Sequence, residues 1–147
     1  MTSVLLGIAG ALAGTLLGHW LGSRAKMAEV RRGIYARYLA AASAARQVME
    51  RLSTNGSAEN RRVAHDSFAT VVPLYSELEL ITTSTRVLRN SEQMLIWLEF
   101  MRDVASGELA TNAQIRDMTG LRQEYRASRI GAVEAMRREL RIRHVEL

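Results

Sequence analysis

His65 stands directly before Asp66, the one place where this chain sets a histidine beside a carboxylate in sequence. On a helix, adjacent side chains diverge by about 100°. The two therefore cannot form the relay that an activated nucleophile needs, and no serine or cysteine in a nucleophile-elbow context accompanies them. Glu77 and Glu79 are two apart and diverge in the same way. With 3 histidines and no cysteine, zinc-type ligand spacing is absent. No Walker loop, dinucleotide loop or HExxH motif occurs. Tyr35, Tyr38 and Tyr75 sit where residues at the edge of a core would sit. These residue types carry no recognisable reaction, cofactor site or metal site, and the expectation is a non-enzymatic protein.

The most specific pattern is Ser3 to Gly22, SVLLGIAGALAGTLLGHWLG, a run without Asp, Glu, Lys or Arg. Twenty helical residues rise about 30 Å, the hydrocarbon thickness of a bilayer. We read residues 3–22 as a transmembrane anchor and residues 23–147 as a helical domain. The run lacks the basic n-region and small-residue cleavage site of a signal peptide. Gly10, Gly14, Gly18 and Gly22 recur every fourth residue. Steps of four wind a smooth groove along one side of a helix, where a second helix can approach closely in lipid. The expected partners are the bilayer and, through this face, a second copy or another membrane helix.

Charge gives the orientation. Nothing basic precedes the run, whereas Arg24, Lys26, Arg31, Arg32 and Arg37 follow it, opposed only by Glu29. The positive-inside rule places this flank in the cytoplasm and the N-terminus outside, in the plasma membrane. Trp20 lies at the interface level, with Arg24, Lys26, Arg31 and Arg32 as further interface anchors, and His19 is an interfacial polar neighbour.

The rest of the chain reads as all-α: one proline, few aromatics, and abundant Ala, Leu, Arg, Glu and Met. Tyr35, Tyr38, Leu39, Ala42, Ala45, Met49 and Leu52 trace one helix face at steps of three and four. The anchor is expected to continue into this first body helix, with Gly33 the place for any bend. Ser53 to Ser57 is a loop, and Ser57 can cap the next helix. That helix spans about Ala58 to Leu80, with a kink or break at Ala69 to Val72 imposed by Pro73. Ile81 to Thr85 is a turn. A third helix runs from about Thr85 to Ser106 and closes on Gly107 as a left-handed cap. The fourth covers about Asn112 to His144, with a Thr111–Gln114 capping box before it. Its apolar side is Met118, Leu121, Tyr125, Ser128, Ala132, Ala135 and Met136. Gly120 and Gly131 are both candidates for a close helix crossing, with a break as the alternative at Gly120.

The formal charge is +5, nearly all of the basic side being arginine. Eight arginines between Arg116 and Arg143 make the last helix basic, but Asp117, Glu124, Glu134 and Glu139 are interleaved with them. That pattern reads as a solvated, ion-paired face, with contact to anionic lipid as the other use. Nucleic acid is not an expected partner, because no helix-turn-helix, aromatic platform or zinc knuckle accompanies the charge.

The apolar N-terminal helix, the basic flank, the Tyr35-Ala36-Arg37-Tyr38-Leu39 segment and the closing Ala135-Met136-Arg137-Arg138-Glu139-Leu140 together resemble small single-pass membrane proteins of actinobacteria and their phages. The resemblance implies topology and origin, not an activity. Two functions follow as expectations. One is an anchored helical interaction module that self-associates through its glycine face. The other is a phage-type membrane-active protein acting in lysis, superinfection exclusion or defence.

Overall fold

A computed structural model describes the backbone of residues 2–52, 57–108 and 118–145. The side chains of residues 2–21, 24 and 142–145 lie outside that description. Five helices are present: α1 (Thr2–Leu52), α2 (Ala58–Ala69), α3 (Val72–Ile81), α4 (Thr85–Ser106) and α5 (Met118–Val145). No strand occurs among the described residues. They form a four-helix bundle in which α2 and α3 together make the second arm.

The break between α2 and α3 has a local cause. Pro73 has no amide hydrogen, and its ring would meet the carbonyl of Ala69 in a continuous helix. The chain closes α2 with Val71 N–H donating to Phe68 O at 2.9 Å, and Pro73 then occupies the first turn of α3, where its missing donor costs nothing. Caps set the other ends. Ser57 Oγ accepts from Asn60 N, and Ser84 Oγ accepts from Val87 N. Gly107, at φ 73°, stops α4 in the left-handed region, where a Cβ would be strained. α1 passes through Gly33 as one assigned helix, and α5 likewise contains Gly120 without a break. Residues 53–56 of the expected Ser53–Ser57 loop, and the Thr111–Gln114 box, lie outside the described residues.

The core follows the apolar stripes. Tyr35, Tyr38, Ala42, Ala45 and Met49 of α1 meet Val87, Met94, Leu98, Met101 and Ala105 of α4. Leu121, Tyr125, Ala132, Ala135 and Met136 of α5 close on α4 from one side, and Ala64 of α2, Val71 at the junction and Leu78 of α3 pack from the other. Tyr35 and Tyr38 go deeper than core-edge residues, at 3% and 0% exposure. Their hydroxyls are satisfied inside, Tyr38 donating to Ser91 O at 2.7 Å. α4 is the hub and touches all the other helices. The α1–α5 seam is the least intimate of the contacts that α1 makes.

Gly131 is the close crossing between α5 and α4. A Cβ there would lie 2.8 Å from Asn90 Oδ1. Asn90 Nδ2 in turn donates to Arg86 O at 2.9 Å, so the side chain is tethered. Gly131→Ala should gain about 1 kcal/mol of helix propensity and lose much of it to the displaced Asn90. In an Asn90→Ala background the same change should stabilise the bundle by about 1 kcal/mol. Chemical denaturation of the four proteins of this cycle measures the difference.

Candidate functional site

The two ends of the α1–α5 seam gather most of the polar organisation. At the end nearer the start of the bundle, Glu139 is buried at 8% exposure. An isolated carboxylate there would be costly, and it is held by donors from two other elements. The hydroxyls of Tyr35 and Thr82 each donate to Oε2 at 2.6 Å. Thr83 donates its backbone N–H to Oε1 at 3.2 Å and its hydroxyl to Oε1 at 3.3 Å. Arg31 adds charge at 3.8 Å and anchors through its Nε to Ile81 O at 2.7 Å. Burial opposes ionisation, but the hydrogen bonds from Thr82, Tyr35 and Thr83, with Arg31 beside them, hold the Glu139 carboxyl below its ordinary range. Burial and the neighbouring carboxylate push the Tyr35 phenol up, so it stays protonated and donates.

Here the expected roles change. Arg31 is not on the surface where an interface anchor would lie; it is 4% exposed and faces Glu139. Glu139 is not part of a solvated face. Both charges lie in phase with an apolar stripe and turn inward with it. Arg31 lies four residues before Tyr35, and Glu139 three after Met136. That phase is the signal that could have found them.

The remaining anchor residues fall as follows. Lys26, Arg32 and Gly22 are exposed, and a Cβ on Gly22 would meet nothing within 4 Å. Gly10, Gly14, Gly18, Trp20 and Arg24 lie outside the described side chains. Among the described residues, no helix is long and apolar enough to cross a membrane; the side chains of residues 3–21 are not among those described. The antiparallel path of α5 brings exposed Arg137, Arg138 and Arg141 to the same end of the bundle as Lys26 and Arg32, and Arg86 opens α4 there. Glu29, Glu79 and Glu134 are the exposed acids nearby, and Glu134 pairs with Arg138 at 3.8 Å.

At the opposite end, the seam opens into a recess of about 460 Å³, within the range of small-molecule sites. α1 contributes Ser43, Arg46 and Gln47; α5 contributes Arg122, Tyr125, Arg126 and Arg129. Glu50 is shared by Arg46 and by Arg122, the latter at 2.8 Å. The Arg46 guanidinium lies 6.0 Å from the Tyr125 ring centroid. In the sequence, Arg122, Arg126 and Arg129 read only as part of a basic helix. Their spacing of four and three puts them on one face, but only the docking of α1 turns that face into a pocket.

His65 and Asp66 are both exposed, and His65 Nε2 instead meets Glu108 Oε1 at 3.0 Å, tying α2 to the end of α4. Among the described residues, no cluster of three or more His, Asp or Glu could hold a metal ion. Comparison with known proteins returned no matching family model, no similar curated protein and no similar solved structure.

The Glu139 carboxylate makes stability acid-sensitive in a defined direction. Its native pKa is lowered, so its contribution is complete above the ordinary glutamate value, about 4.3, and is lost as pH falls through the native one. Thermal melts from pH 7 to pH 3 should therefore decline below about pH 4.3. Glu139→Gln should cost about 3 kcal/mol at pH 7, because Arg31 is left buried without its counter-charge. The acid limb of the variant should be flatter than that of the wild type.

Proposed function

We propose that this protein is a membrane-anchored helical interaction module. Residues 3–22 of α1 form the anchor, and the face bearing Gly10, Gly14, Gly18 and Gly22 associates with a second copy or another membrane helix. The bundle stands on the cytoplasmic side. The observation that carries this reading is the continuity of α1, a single helix of 51 residues from Thr2 to Leu52. A continuous helix joins the charge-free run rigidly to the buried Tyr35–Met49 stripe, so the position of one sets the position of the other.

Charge at the near end of the bundle supports the same reading. Lys26, Arg32, Arg86, Arg137, Arg138 and Arg141 are exposed there, a distribution suited to an anionic cytoplasmic leaflet. Arg31 is absent from that set, since Glu139 holds it inside. Interface contact in this reading rests on Lys26, Arg32 and the end of α5, with Trp20 and Arg24 on the anchor side.

The test is expression of the full chain followed by alkaline washing of membranes and cross-linking. Wild-type protein should remain with the membrane and give cross-linked oligomers. Gly14→Leu combined with Gly18→Leu should remain in the membrane and lose the oligomers. Oligomers unchanged in the double variant would overturn the glycine face, and release by the alkaline wash would overturn the anchor.

A further inference from the structure

We propose that the recess between α1 and α5 is a binding site for a small phosphate-bearing anion, held by Arg126 and Arg129 with Arg46 and Arg122. Four guanidiniums line it, and no carboxylate does. Glu50, at its edge, is engaged by Arg46 and Arg122. Arg126 and Arg129 have no carboxylate partner among the described residues. Like charges three and four residues apart on one helix face repel. Planar guanidinium donors facing one recess match the oxygens of a phosphoryl group and accept them in pairs.

Tyr125 closes the wall of the recess: it is 1% exposed, and its hydroxyl is enclosed beside Ser43, away from the open surface. The donors presented to a ligand are therefore the guanidiniums.

Position argues for a soluble ligand and against a lipid headgroup of the protein's own membrane. Arg46 is 24 residues beyond Gly22 on the same helix, about 36 Å along its axis. The pocket itself rests on described residues of α1 and α5 and does not depend on the anchor.

Inorganic pyrophosphate is the probe. Full-length protein in zwitterionic nanodiscs or detergent is titrated by calorimetry, with sodium sulfate and sodium chloride at matched ionic strength as controls. Saturable binding is expected, at least tenfold tighter than sulfate. Arg126→Gln with Arg129→Gln, both at exposed positions, should weaken it at least tenfold with an unchanged melting temperature. A parallel arm measures pyrophosphate-free association with vesicles containing an anionic phospholipid. Absence of pyrophosphate binding at millimolar concentration would overturn the proposal, as would binding that survives the double arginine variant. Dependence on Arg126 and Arg129 seen only with anionic vesicles would overturn it in favour of a lipid site.

Discussion

A buried carboxylate needs donors, and Glu139 takes its donors from two other parts of the chain. Tyr35 reaches it from α1, and Thr82 and Thr83 reach it from the turn between α3 and α4. Three elements distant in sequence thus meet at one charge. Apolar stripes alone hold helices together with some tolerance for sliding, because one methyl replaces another at little cost. A hydrogen-bonded charge has no such tolerance. If α5 shifted by a turn, Glu139 would lose its donors and Arg31 would keep a charge with nothing opposite it. This polar node therefore sets the register of α5 against α1 far more sharply than the core does.

That register has consequences at the other end of the bundle. Glu139 and Arg122 are 17 residues apart, about 25 Å along α5. With one end pinned at Tyr35, Arg122 arrives beside Glu50, and Tyr125 beside Arg46. Gly131 lies between these ends and brings α5 close to α4 at Asn90. α5 is thus held tightly to α4 along its length and to α1 chiefly through its ends. The recess lies where α1 and α5 both carry arginine, and mutual repulsion favours the open seam there. Elsewhere the bundle is braced by ordinary surface pairs, such as Arg37 with Glu77, and by Arg102 over the Phe68 ring at 4.7 Å. Exposed pairs of the first kind contribute little, whereas stacking of a guanidinium on an aromatic face contributes somewhat more.

α1 unites the two proposed surfaces. Its first part carries the glycine face, and its last turns carry Ser43, Arg46 and Gln47 in the recess. In both proposals the two ends of one long helix carry the recognition surfaces.

Much of the fold was legible in the sequence because its determinants are local. The stripe from Tyr35 to Met49 predicted the buried face of α1, Pro73 predicted the break before α3, and Ser57 and Gly107 marked helix ends. Helical periodicity, a missing amide hydrogen and a left-handed φ each act within a few residues, so neighbouring sequence suffices to read them. The polar sites were not legible. Arginine on a helix is ordinarily solvated, and a glutamate among arginines is ordinarily an ion-paired surface group. Whether Arg31 and Glu139 turn inward depends on Thr82 and Tyr35, and Tyr35 is 104 residues from Glu139. Whether Arg126 and Arg129 face solvent or a pocket depends on where α1 docks. The sequence alone determined which segments are helical and which stripes are apolar. Only tertiary structure decided which charges are buried, because burying a charge requires partners that no local pattern supplies.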